Sequence, residues 1–145
     1  MAGLMKIAFS LIIVAALATA CGNSEQTYKQ PELINSKELT DIQWINPNVD
    51  LGKINEGQMV EVVFRFKNTG KKPLVIRGVH PGCGCTVANP PAEPIAPGAE
   101  GEIKATFDSK GRAGVNHKSI SVDANTNGSQ THEVSFNVEV VPTKK

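Results

Sequence analysis

From about Thr40 onward, apolar and polar residues alternate along the chain. In "QMVEVVFRFKNTG", Val60, Val62, Phe64 and Phe66 share one side, and Glu61, Val63, Arg65 and Lys67 share the other. "EIKATFDS" sets Ile103, Ala105 and Phe107 against Glu102, Lys104, Thr106 and Asp108. "KSISVDANT" repeats the pattern with Ile120, Val122 and Ala124, and "EVSFNVEVV" with Val134, Phe136, Val138 and Val140. Successive side chains of a strand point to opposite faces, so this pattern predicts half-buried antiparallel strands and not helices. Shorter strands are expected over Ile42–Ile45, Val49–Ile54, Leu74–Val79 and Thr86–Ala88. Turn residues fall between the runs: Asn68-Thr69-Gly70, Pro97-Gly98, Lys110-Gly111 and Asn127-Gly128. The Asn-Gly pair predicts a primed turn, with positive φ at both central residues, joining the last two strands as a hairpin. About seven or eight short strands with regular turns define an all-β sandwich, here over residues 40–145. The lone Trp44 is expected as a core or sheet-edge anchor.

The first 39 residues have a different character. Lys6 precedes "IAFSLIIVAALATA", an uncharged apolar run too short to span a bilayer comfortably, and the small residues Ala18, Thr19 and Ala20 lead into Cys21. Residues 1–20 therefore read as an export signal. Its end resembles the bacterial lipobox, in which cleavage leaves a lipid-bearing cysteine at the new N-terminus. Ala18 stands where that motif usually has Leu, and Leu17 lies one place earlier. The alternative is an ordinary secretory peptide in which Cys21 has no role. The lipoprotein reading predicts a membrane anchor at Cys21, since several acyl chains hold a protein stably where one does not. The polar stretch from Gly22 to Leu39 reads as a tether, with a coil-like reach of about 25 Å.

This address changes the cysteine arithmetic. The chain has three cysteines. If Cys21 carries lipid, only Cys83 and Cys85 remain, in a compartment (periplasm or cell exterior) where disulfides persist. Charge excludes one class of partner. Of 15 Lys and Arg residues only Lys6 falls in 1–20, which leaves 14 basic against 14 acidic residues with no clustered tail. No basic excess is available for nucleic acid. Nucleotide loops and the zinc-protease helix motif are absent, and no cofactor is expected.

The candidate chemistry sits in "HPGCGCTVANPP", His80 to Pro91. If Cys83 and Cys85 lay on an extended strand, their Cα atoms would be about 6.6 Å apart, near the limit for a disulfide. Gly84 lets the chain bend and bring the sulfurs together. Four readings stand open: a structural pair, including an inert disulfide; a redox pair, since a small strained ring reduces easily; a Cu(I) or Zn(II) site with His80 as third ligand; and a catalytic thiol. The redox reading lacks the usual C-x-x-C at a helix start. A closed zinc site needs a fourth ligand, and nothing in the sequence assigns His117 or His132 to it, or to a base for a nucleophile. The structural pair is the expectation.

Phe66 to Thr126 resembles the bacterial domain of unknown function 1573. The matching elements are Asn68 and Gly70; Pro73, Leu74 and Ile76; Cys83 to Thr86; Pro94-Ile95 through Gly98; and Phe107 to Gly114. "VDLGKINEG" fits the opening strand. The resemblance implies an exported or lipid-anchored immunoglobulin-like domain, related in shape to modules of sperm-protein and ciliary scaffolds, and it implies no activity. The expected protein is a non-enzymatic, lipid-anchored binding or assembly module of the cell envelope with an unidentified protein partner. The alternative is a thiol-redox or copper-handling protein using Cys83 and Cys85.

Overall fold

The computed structural model describes residues 38–143. The expected signal, Cys21 and most of the tether lie outside them. The described residues form eight strands in two four-stranded sheets and contain no helix. The strands are β1 (Ile42–Trp44), β2 (Asn48–Asn55), β3 (Met59–Asn68), β4 (Ile76–Pro81), β5 (Thr86–Asn89), β6 (Glu100–Asp108), β7 (Gly114–Ala124) and β8 (Thr131–Val141). One sheet runs β1-β3-β6-β5 and the other β2-β8-β7-β4.

The alternation places the core as expected. Phe64, Phe66, Phe107, Phe136, Ile103, Ile120 and Val122 are wholly buried between the sheets. Phe107 of one sheet meets Phe136 of the other edge-on, with centroids 5.5 Å apart. Trp44, on edge strand β1, packs edge-on against Phe66 at 5.4 Å, and its buried indole N–H has no acceptor among the described residues. Here the ring is held by packing.

Three details differ from the sequence expectation. First, the sandwich is not purely antiparallel: β2 pairs parallel with β8, Asn48 opposite Ser135 and Ile54 opposite Val140. The chain leaves the first sheet after β1 and crosses at Asn46-Pro47, where the Asn46 amide donates to Val63 O and Ser135 N donates to Pro47 O. Second, β4 begins at Ile76, not Leu74. Leu74 instead exchanges backbone hydrogen bonds with Ile95, at 2.9 and 2.8 Å. Third, the hairpin between β7 and β8 forms, but through a six-residue loop, 125–130, in which Gly128 (φ 73°) has positive φ and Asn127 does not. The loop is longer because Asn125 is buried and bonded to Glu38, Pro73 and Val75, and Thr126 is buried and bonded to Ser129 and His132, so neither is available for a two-residue turn.

Those bonds explain the buried polar residues. The Asn68 amide accepts from Thr40 Oγ1 and Gly70 N and donates to Lys72 O and Ile95 O. The Asn125 amide accepts from Val75 N and donates to Glu38 O and Pro73 O. The Ser109 hydroxyl points its proton at the carbonyls of Gln58 (2.7 Å) and Asn55 (3.1 Å). Each side chain supplies the partners that loop backbone needs when it is buried. Gly70 is required for space: a Cβ there would lie 2.6 Å from the Asp41 backbone nitrogen.

Candidate functional site

The C-G-C turn is the corner where the chain passes from one sheet to the other. β4 ends at Pro81 on the β7 side, and β5 begins at Thr86 beside β6. Three backbone bonds pin the turn: Gly82 N to Ser119 O, Thr86 N to Cys83 O, and Asp108 N to Cys85 O, at 3.0–3.3 Å. Gly84 is exposed, with open space around it. The bend draws the Cys83 and Cys85 Cα atoms to 5.3 Å, and the two sulfurs form a disulfide. Cys85 and Thr86 are each 5 % exposed, whereas Cys83 is only partly covered. The Thr86 hydroxyl lies 3.8 Å from both sulfurs.

His80 does not join them. Its Nε2 turns across Gly78 to Asp123 Oδ2 on β7, at 3.1 Å, on the outer face of the other sheet. A Cβ on Gly78 would stand 2.8 Å from that nitrogen. Asp123 also accepts from Thr131 Oγ1 at 2.8 Å. The Thr131 hydroxyl first, and then His80, hold the Asp123 carboxyl below the usual aspartate value. These residues line a shallow, open depression with Arg77 and Gln130, which bond each other at 2.9 Å. Among the described residues no three His, Cys, Asp or Glu side chains gather as a metal site. His117 bonds Asn137 across the β7–β8 ladder.

His132 occupies the end of the core, 6.2 Å from Trp44, with Nε2 against Thr126 Oγ1 at 2.8 Å. Thr126 gives its own proton to Ser129 O. The imidazole therefore donates from Nε2. Burial holds its pKa below the ordinary 6.5. As pH falls below that value, the unfolded chain takes up this proton before the folded one does. The contribution is thus complete above pH 6.5 and shrinks as pH falls toward the lowered folded value. Thermal melts should show the wild-type midpoint dropping through that window, with a shallower drop for His132→Gln. Parallel slopes in the two proteins would remove His132 as the cause.

The geometry defines a class first: an all-β, two-sheet immunoglobulin-like sandwich. Residues 42–140 match the family described as "Protein of unknown function (DUF1573)", and the chain belongs to that family. A protein of unknown function from Porphyromonas gingivalis is similar in structure at 16 % identity and a TM-score of 0.61, over 72 % of this chain and 48 % of that one. This chain thus spans about half the length of that protein. The PapD-like domain 7 of human CEP192 is similar at 12 % identity and a TM-score of 0.55, over 73 % of this chain and 89 % of that domain. The secreted serine protease VesC of Vibrio cholerae matches at 12 % identity and a TM-score of 0.54, over 72 % of this chain but only 24 % of that one. At these identities the likeness is one of fold. No curated protein sequence matches the chain.

Proposed function

We propose that this chain is a non-enzymatic, lipid-anchored protein of the cell envelope, and that its sandwich binds an extended segment of a protein partner along β5. The apolar run ending at Cys21 supports the anchor. The motif side chains support a binding role over catalysis: Asn68, Phe107 and Ser109 are consumed in core packing and buried hydrogen bonds.

One observation carries the choice of β5: it is the least protected of the four sheet edges. Edge strands usually carry charge, a bulge or a proline to block pairing with another chain. β1 has three residues; β2 bears Asp50, Lys53 and a register shift between them; β4 is bulged between Ile76 and Gly78 and ends at Pro81. β5, Thr86-Val87-Ala88-Asn89, has neither charge nor bulge, and Val87 is 63 % exposed. Asp108 N donates to Cys85 O, so Cys85 and Val87 face the β6 ladder, and the Ala88 N–H and C=O point to the open side. Such groups accept an added strand.

A photoreactive residue at position 87, expressed in intact cells, should give a discrete adduct in the membrane fraction. The same probe at Val115, which is more exposed but lies on the other sheet, should not. Ala88→Pro removes the outward N–H while keeping the β5–β6 hydrogen bonds, so it should abolish the adduct, with circular dichroism checking that the fold is retained. Wild type should fractionate with membranes, and Cys21→Ala should be released or remain as unprocessed precursor. Equal adducts at both positions, or none at 87, would reject the β5 reading; an intact wild-type mass lacking any acyl addition on Cys21 would reject the anchor.

A further inference from the structure

We propose that the Cys83–Cys85 disulfide is a reversible thiol-exchange site for small thiols or dithiols, entered at the Cys83 sulfur, with the Thr86 hydroxyl serving the departing Cys85 sulfur. The inference is independent of strand addition at β5.

Three features of the turn carry it. The bridge spans a sequence separation of only two residues, so it constrains the unfolded chain little and is a weak staple. The corner is also held without it. Gly82 is tied to β7 and Cys85 to β6 by backbone hydrogen bonds, and Thr86 N closes the turn on Cys83 O. Opening the disulfide therefore leaves both ends of the turn anchored, and closing it requires no refolding. Finally, the two sulfurs are unequal. Cys83 is partly open beside the exposed Gly84, whereas Cys85 is packed into the core. Of the two residues, Cys83 offers more surface to an incoming thiolate.

The exchange balances as follows. A thiolate attacks Cys83 Sγ, a bond forms between the two sulfurs, and the Cys83–Cys85 bond breaks with its electron pair moving to Cys85 Sγ. That sulfur leaves as a thiolate in a low-dielectric setting, which disfavours it unless a donor is present. Thr86 Oγ1 stands 3.8 Å away, and its hydrogen-bond partners are the two sulfurs. The Cys85 thiolate then takes a proton from water. A second thiolate attacks the external sulfur of the mixed disulfide and releases Cys83. Two external thiols become one disulfide, and the protein disulfide becomes two thiols. The reverse sequence restores it.

The test uses the full-length chain in detergent, with Cys21→Ser so that Cys83 and Cys85 are the only cysteines. The native protein is equilibrated with reduced and oxidised glutathione, acid-quenched, alkylated and weighed. The expected result is complete, reversible reduction with unchanged circular dichroism. In Cys85→Ser, oxidised glutathione should form an adduct on Cys83 at least about tenfold faster than on Cys85 in Cys83→Ser. Thr86→Val should slow reduction about tenfold with the fold intact, the loss expected for a hydrogen bond to a charged sulfur. A disulfide that resists glutathione until the protein is denatured, or reduction that unfolds the domain, would overturn the proposal. Equal adduct rates at the two sulfurs would overturn entry at Cys83. An unaltered rate in Thr86→Val would remove Thr86 from the exchange.

Discussion

Phe64→Ala should lower the unfolding free energy by about 3–5 kcal/mol, through lost transfer energy plus the cavity left behind. Phe64 has no exposed surface, lies opposite Ile103 in the β3–β6 ladder and sits in the common core. Neither sheet can shift to fill the space without disturbing the Phe107–Phe136 contact between the layers. Val63→Thr, one residue away on the outer face and only half-buried, should change stability by about 0.5 kcal/mol or less. Urea denaturation of both variants measures the difference. Similar midpoints for the two would show that β3 does not present the faces described.

Asn68→Ala should be nearly as damaging, at about 3–5 kcal/mol, although it removes no large apolar group. Its amide is fully buried and joins four partners from Thr40, Gly70, Lys72 and Ile95. Truncation leaves all four without this partner in a site closed to water, and such groups lose more than an average hydrogen bond contributes. Asn68→Asp sharpens the test. It keeps both accepted bonds, loses both donated ones and places a carboxylate beside the Lys72 and Ile95 carbonyls. It should fail as badly as alanine at neutral pH and recover partly in acid, where the protonated carboxyl can donate again. A neutral-pH Asp variant as stable as wild type would mean that the donated bonds contribute little.

The two substitutions differ in how readable they were. Phe64 announced itself by alternation with Val62 and Phe66, because a strand's side-chain period is a local property of the backbone. Asn68 stood in an N-x-G turn signal, and only the fold shows its amide buried. Asn125 is further from view: its partners at Glu38, Pro73 and Val75 come from segments far away in sequence. A turn-forming residue type looks the same whether it faces water or closes a buried junction. This is why the hairpin loop was expected to be tight and proved to be six residues long.

The candidate site divides in the same way. Gly84 between two cysteines already allowed a bend that brings the sulfurs together, since glycine adds no Cβ to the turn. His80 shared the motif by spacing alone. Its distance from the sulfurs' corner follows from Gly78, which leaves room for the ring to fold across β4, and from Asp123 on the neighbouring strand. Sequence spacing carries no information about which cross-strand neighbour a side chain meets.

By itself, then, the sequence determined the strands, their inward faces and the all-β class, because these depend on periodicity and turn chemistry within a few residues. Only the tertiary structure decided which strands pair, that β2 runs parallel to β8, that β5 is an edge strand, and that Cys83 is partly exposed while Cys85 is buried. Those properties depend on contacts between residues distant in the chain, where the gain from burial and pairing is set by what arrives from elsewhere.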